Sequence, residues 1–273
     1  MMPKCAHEHS SHALLRIPVR LTRCFVPGPL SGGATTVLPA GPSAHLGKVL
    51  RLRAGADLTL FDGRGGEYPA QILALARDGV HVSIGEHDPI EREAPVAVTL
   101  LQCLARGERM DWIVQKATEL GVARIVPVSS EHCGVRLDES SAQRRQPHWQ
   151  AVAISACEQC GRNRPPDIQA PVTLERACAQ WASSGAVAQP RLVLDPAGQR
   201  SLASALTAPS VAAPPSLTLL VGPEGGLSAR ELALAQHHGF LACRLGPRIL
   251  RAETAPLAAL ATVQALLGDL GDR

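Results

Sequence analysis

No run of apolar residues in this chain approaches the roughly 18 that a membrane-spanning helix requires, although 45% of its 273 residues are hydrophobic. That apolar content is available to a core instead. Aromatic residues are scarce at 3%, so the core must come from Leu, Val, Ile and Ala. Charge of one sign is not dominant either. A net charge of +3 and a pI near 8.5 permit an RNA partner without demanding one, since sequence-independent nucleic-acid binders are usually more basic. The opening stretch MMPKCAHEHSSHALLRIPVRL has neither an apolar signal segment nor a cleavage site. Without a secretory signal, the eight cysteines read as free thiols in a reducing cytoplasm. Cys157-x-x-Cys160 has no second pair at metal spacing, so no metal is expected there.

What is present changes texture along the chain. Residues 1–20 read as a flexible extension, in which Cys5, His7, His9 and His12 could alternatively gather a metal. From Arg23 to about Pro89, alternation in DLTLFD and VHVSI, broken by glycines, predicts a small β domain. HLGKVLRLRAG is read among its short strands and turns. Polar EREAP (91–95) makes a linker, which divides the chain at 1–20, 21–92 and 93–273. Beyond it, strands alternate with helices. After the apolar AVTLLQCL (97–104), Met110, Ile113, Val114, Ala117 and Leu120 recur at helical spacing, with Gly121 as a stop. ARIVPV follows, then a helix carrying Trp149, Val152, Ala153, Ala156 and Cys157 that stops at Gly161. RLVLD (191–195), a Pro/Ala loop and LTLLV (217–221) continue the rhythm, which predicts an α/β domain with a largely parallel sheet.

LTLLV runs straight into GPEGGLSARE. Ser228 and Glu231 have the spacing of a capping box, which starts a helix near Ala229 with its stop at Gly239. This loop holds neither the G-x-G-x-x-G of a dinucleotide turn nor the G-K-[ST] of a phosphate loop. Pro223 and Glu224 stand where phosphate would need a clear approach, and Glu224 would repel it. A ligand without phosphates fits, and so does a structural turn. The design recurs in FLACRLG (240–246), PRILRAET and the helix APLAALATVQALLG, with Thr254 as the expected N-cap and Pro256 in the first turn. The two strand ends are expected side by side at the carboxyl edge of the sheet, where open α/β sheets bind ligands. The residues alone leave a cofactor pocket and two ordinary turns both open.

VGPEGGLSARE followed by LGPRILRAETAPLAAL resembles the paired C-terminal motifs of the SPOUT superfamily of S-adenosylmethionine-dependent RNA methyltransferases. More narrowly it resembles the RsmE family, which methylates N3 of a uridine in 16S ribosomal RNA. RCFV, HLGKVLRLRAGADLTLFDG, GERMDWIVQKATELGV and ACEQCGRNRPP extend the resemblance from about Arg20 to the end of the chain. It implies a PUA-like β-barrel followed by a methyltransferase domain tied in a trefoil knot, a topology that general rules disfavour. It implies S-adenosylmethionine as cofactor, which carries no phosphate, and 16S rRNA as partner, within the small ribosomal subunit or free. By analogy the protein would be a cytoplasmic homodimer with no membrane and no metal. The cofactor positions carried over are Leu220, Val221, Gly222, Pro223, Glu224, Gly225 and Gly226 in the first loop. In the second they are Leu245, Gly246, Pro247, Ile249, Leu250 and Ala255.

Methyl transfer to uracil N3 requires loss of its proton, and a cation beside the uracil oxygens would stabilise the anion. The resemblance offers Arg251 for this role, against a salt bridge to Glu253 or a phosphate contact. Glu253 would be a base or an organiser of the loop. Arg162, Asn163 and Arg164, just past a helix end, are expected to meet RNA, or else form a solvated basic turn. Arg23, His45, Arg51 and Arg53 match basic positions of the N-terminal domain and would grip the RNA backbone. Lys116 and Glu119 either orient their helix or touch substrate, and the Cys157–Cys160 pair is read as structural. Cys24 replaces an aromatic, Cys160 a serine and Ala252 a hydroxyl residue of the family pattern, which puts hydroxyl chemistry at the last two in doubt. A non-catalytic RNA-binding protein and a methyltransferase acting on transfer RNA are the competing readings.

Overall fold

A computed structural model describes residues 21–134, 139–183, 189–207 and 215–271. The extension 1–20 and most of the Pro/Ala loop lie outside them. Among the described residues no helix is long and apolar enough to cross a membrane.

The first sheet is built from β1 (Thr22–Phe25), β2 (Thr35–Val37), β3 (Asp57–Phe61), β4 (Tyr68–Ala76) and β5 (Gly79–Ile84) in the order β1-β3-β4-β5-β2. Only β1 and β3 pair in parallel. Alternation does the work anticipated for it, because Val80, Val82 and Ile84 point inward from β5 while their neighbours stay half-buried. They meet Cys24, Leu58, Leu60 and Ile72 in one apolar cluster. HLGKVLRL departs from its strand-and-turn reading. A short helix α1 (Ala40–Ala44) runs into it, and its first five residues form a π-helical turn, His45–Val49. Leu46 is its single buried anchor and Val49 is exposed, so no two-residue alternation holds it to a sheet.

The second sheet carries the α/β rhythm. Its elements are β6 (Ala97–Cys103), α2 (Arg109–Glu119), β7 (Val122–Ser129), α3 (Glu139–Cys160), β8 (Asp167–Ile168), β9 (Val172–Thr173) and α4 (Leu174–Ser183). They continue with β10 (Arg191–Leu194), β11 (Arg200–Ser201), α5 (Leu202–Leu206), β12 (Ser216–Val221), α6 (Ala229–His237), β13 (Leu241–Arg244) and α7 (Thr254–Leu267). The strand order is β11-β13-β10-β12-β6-β7-β8, with β9 beside β7, and every pair is parallel. Central strands are apolar on both faces, as such a sheet requires. Val98, Leu100, Leu217 and Leu219 pack on one side with Met110, Trp149, Leu202 and Leu260 of α2, α3, α5 and α7. Leu101, Cys103 and Leu220 pack on the other with Ala177 and Ala235 of α4 and α6.

The predicted helix ends hold with one exception. Ser228 accepts from Glu231 N at 3.2 Å while Glu231 Oε2 accepts from Ser228 N at 2.9 Å, completing the capping box. The helices α2 and α3 stop at Gly121 and Gly161, whose φ of 80° and 93° suit glycine. The N-cap of α7 is Glu253 rather than Thr254, without a side-chain cap bond, and Arg251 O takes the amides of Thr254 and Ala255 at 2.9 Å instead.

A polar knot of side chains joins the two sheets across the linker, and it corrects three expected RNA contacts. Arg162 is 5% exposed. It donates to Glu93 Oε2 through Nε at 3.0 Å and Nη2 at 2.6 Å, and to the carbonyls of Thr118 and Val122 at 2.7 and 2.9 Å. Asn163, fully buried, donates to Ile90 O at 2.7 Å and accepts from Arg23 at 2.6 Å. Arg23 also pairs with Glu67, which takes Arg92 at 2.9 Å. Arg23, Arg162 and Asn163 are therefore buried ties between the sheets and not a surface for RNA. Removing one member of a buried pair strands the other charge, at about 3–5 kcal/mol. Arg162→Ala is expected to lower stability by that order in urea denaturation; an unchanged midpoint would remove the tie from the stability account.

Candidate active site

The strand order revises the expected layout. β12 and β13 are not neighbours, because β10 lies between them and pairs with both. All three are parallel, so their carboxyl ends share one edge and three loops, not two, meet there. They enclose a cavity of about 460 Å³. Its walls include Leu194, Asp195 and Pro196 after β10, Val221 to Glu224 with Gly226 and Leu227 after β12, and Leu245, Gly246 and Arg248 to Glu253 after β13. Leu232, Cys243, Ala255 and Arg109 complete them.

Ten of the thirteen expected cofactor positions line this cavity, and so do Arg251 and Glu253. Leu220, Gly225 and Pro247 do not. Leu220 is buried in the core with Leu101, Val193 and Ala235. Gly225 serves packing, since a Cβ there would stand 2.9 Å from the Cβ of His132 in the loop after β7. Gly222 is a wall of the cavity, where a Cβ would sit 3.3 Å from both Leu227 Cγ and Leu227 N. The chain thus brings its backbone to the cavity where a side chain would crowd the loop.

Charge in the cavity is organised by a residue the sequence reading passed over. Arg109, the first residue of α2, donates to Glu224 Oε1 at 2.8 Å, and the amide of Arg106 donates to the same oxygen at 3.2 Å. Burial opposes ionisation of Glu224, but these donors and its own backbone outweigh it and hold the carboxyl below its ordinary range. Arg109 Nε also stands 3.9 Å from Glu253 Oε2, a buried oxygen with no hydrogen-bond partner. One cation therefore links the loop after β12 to the loop after β13. Arg251 is exposed and its side chain has no recorded partner among the described residues, so the cation beside Glu253 is Arg109. A signal for Arg109 existed. A cation in the first turn of a helix opposes the helix dipole, and such a placement asks for a carboxylate from elsewhere. Asp195 could have been found from RLVLD, whose last residue follows a parallel strand.

The remaining basic positions lie away from this cavity. Arg51 and Arg53 are exposed, and Arg51 takes a φ of 53°, unusual for a residue with a side chain. His45 lies 4.0 Å from Glu158, and exposed Arg164 pairs with Glu91 at 3.3 Å. Lys116 pairs with Glu119 at 2.8 Å on α2, which is the helix-orienting alternative. Among the described residues no group of three or more His, Cys, Asp or Glu could hold a metal ion.

The chain matches the RNA methyltransferase domain family over residues 92–264 and the RNA methyltransferase PUA domain family over 43–85. Ribosomal RNA small subunit methyltransferase E of Synechocystis is 32% identical, over 86% of this chain and 74% of its own length. The chain belongs to the ribosomal RNA small subunit methyltransferase E family. Two solved structures bear on the cavity. A Legionella pneumophila methyltransferase in complex with S-adenosylmethionine is 38% identical with a TM-score of 0.83, over 92% of this chain and 100% of its own. The methyltransferase E of Neisseria gonorrhoeae bound to the same cofactor is 37% identical with a TM-score of 0.80, over 92% of this chain and 99% of its own. The family's methyltransferase match spans all three loops of the cavity, and its PUA match falls within the first sheet.

Proposed function

We propose that this chain transfers a methyl group from S-adenosylmethionine to N3 of one uridine in 16S ribosomal RNA. The observation that carries the reading is the cavity. Three loops at one sheet edge present backbone, apolar side chains and paired carboxylates, without a phosphate cradle. Such a lining fits a phosphate-free cofactor, and the close approach at Gly222 leaves its backbone accessible. The bound cofactor supplies an electrophilic methyl on a sulfonium sulfur. The protein's part is orientation and charge. Arg109 fixes Glu224 and Glu253 relative to each other, and the loops after β10, β12 and β13 hold the cofactor. Arg251, exposed at the cavity rim, stabilises the uracil anion left when the N3 proton departs. Glu253 organises the second loop through Arg109, whose Nε stands 3.9 Å from its buried Oε2.

Arg51, Arg53, His45 and Arg164 then form the RNA-contacting set, on the 21–92 domain and at its junction with the 93–273 domain. The knotted C-terminus expected of the SPOUT fold is supported by β13, which inserts between β10 and β11 instead of adding at an edge. A cytoplasmic homodimer acting on the small ribosomal subunit completes the reading. Ile249, 85% exposed on the cavity loop, supports a second copy covering that rim. Mass spectrometry of 16S rRNA from a deletion strain is expected to show one methyl-uridine lost and restored by the wild-type gene. An unchanged methylation pattern would sink the assignment.

A further inference from the structure

The loop after β10 owes its shape to a short run of sequence. Asp195-Pro196-Ala197-Gly198 places aspartate, proline and glycine where a type I turn favours them. Gly198 N donates to Asp195 O at 2.9 Å and closes the turn, while Ala197 N donates to Asp195 Oδ1 at 3.0 Å. Strand β13 holds the turn as well. Asp195 N donates to Cys243 O at 2.9 Å, and Arg244 Nη1 donates to Gly198 O at 2.9 Å. A Cβ on Gly198 would stand 2.9 Å from the carbonyl carbon of Cys243, so glycine lets the chain lie this close. Asp195 is therefore a half-buried carboxylate fixed on the cavity wall. Its Oδ1 is committed to the turn, and its Oδ2 has no recorded partner among the described residues.

Arg109 stands between two of the other charged residues of the wall, Glu224 and Glu253, while Arg248 and Arg251 are exposed. Asp195 is the one carboxylate of the cavity with no ion pair among the described residues. An unpaired, preorganised carboxylate favours a ligand that brings positive charge. S-adenosylmethionine brings one. The ammonium and carboxylate of its methionine end offset each other, and the sulfonium leaves it a net cation. When the methyl passes to the uracil nitrogen, the sulfur keeps the electron pair of the broken S–C bond. The product, S-adenosylhomocysteine, is then neutral overall. We propose that Asp195 is a specificity-determining residue, which makes the cavity prefer the sulfonium cofactor over that thioether product and so limits product inhibition. This preference rests on the cofactor reading above.

The carboxylate acts through its field and needs no direct contact with the sulfur. A cavity of about 460 Å³ is roughly 10 Å across, comparable to the screening length in about 0.1 M salt, so a bound sulfur stays within reach of Asp195. Leu194, Val221, Leu245 and Leu250 make much of the wall apolar, which strengthens that field. Arg248 and Arg251, exposed at the rim, are screened by solvent and do not cancel it. Every contact made with the adenosine is common to cofactor and product. Those contacts set the affinity of both, and the two ligands differ only in the methyl and its charge.

Asp195→Asn removes the charge and keeps an oxygen for the amide of Ala197, so the turn survives it. Calorimetry compares three ligands on this variant and on wild type: S-adenosylmethionine, S-adenosylhomocysteine and sinefungin, whose amine puts a cation in place of the methylsulfonium. S-adenosylmethionine and sinefungin are expected to lose roughly tenfold in affinity, as one unscreened charge pair implies, while S-adenosylhomocysteine stays within about twofold. Asp195→Glu, which keeps the charge, is expected to hold the ratio of cofactor to product affinity within about threefold of wild type even where both fall. Equal losses for all three ligands in Asp195→Asn overturn the proposal, because Asp195 would then hold a group they share, such as a ribose hydroxyl. An unchanged affinity for S-adenosylmethionine in Asp195→Asn overturns it too, as does a ratio lost in Asp195→Glu. Wild-type protein that binds none of the three refutes the cofactor reading and the preference with it, whereas wild-type binding with an unaltered ratio in Asp195→Asn sinks the preference alone.

Discussion

Arg251→Ala is expected to abolish methyl transfer while S-adenosylmethionine binds with an affinity within about twofold of wild type. The side chain is exposed and bonded to nothing recorded among the described residues, so its loss leaves no buried group stranded and the fold has no reason to weaken. What it offers is a positive charge at the rim of the cavity, where uracil would sit. Loss of one preorganised donor to a developing anion costs about 10²–10³ in turnover. The main-chain carbonyl of Arg251 holds the first turn of α7, and the substitution keeps it. Single-turnover transfer of tritiated methyl to small-subunit rRNA, beside calorimetry with the cofactor, separates the two effects. Turnover within a few-fold of wild type would remove Arg251 from the catalytic role.

Gly222→Val should act at the other half of the site and in the opposite sense, blocking cofactor binding before any chemistry. A Cβ at this position already meets the amide and the Cγ of Leu227 at 3.3 Å. Valine adds two further methyl groups in a loop fixed at both ends, by β12 and by the capping box of α6. Overpacking of this kind costs about 1–3 kcal/mol, and its upper end is about a hundredfold in affinity. Gly222 lines the cavity, so a displaced loop carries its wall with it. Gly222→Ala, which adds only the Cβ, should lose about tenfold or less if the neighbour yields. Calorimetry on both variants, with circular dichroism to confirm folding, tests the cavity directly. An unchanged affinity in a folded Gly222→Val protein would refute it.

Where the chain obeys a simple period, the sequence was readable. The alternation of DLTLFD and VHVSI, the apolar stripe from Met110 to Ala117 and the Ser228–Glu231 box each map onto the element they implied, because burial of a repeating face dictates the conformation. HLGKVLRL was misread because one anchor residue, Leu46, sets no period. Three residues of the expected RNA surface failed for a related reason. Arg23, Arg162 and Asn163 are polar, and polarity is usually exposure. Here carboxylates and carbonyls distant in sequence satisfy them inside the junction. Arg109 went unnoticed because its partners, Glu224 and Glu253, lie more than a hundred residues away. The intervening β10 was hidden as well, since strand order is a property of pairing and leaves no mark on the strand's own composition. The two glycine loops left a pocket and a pair of ordinary turns both open, and nothing in them pointed to the third wall after β10.

The three walls also set when a newly made molecule can first work. The loop after β10, the loop after β12 and the loop after β13 leave the ribosome in that order, spread from Leu194 to Ala255. β13 must then find its place between two strands already synthesised. Late, non-local pairing of this kind is slow to form. Nascent chains truncated before β13 therefore have the first sheet already synthesised but lack the third wall of the cavity. Cofactor occupancy therefore waits on the insertion of β13, and because a ligand that binds only the assembled state stabilises it, the methyl donor itself would favour copies in which that strand has found its place over those in which it has not.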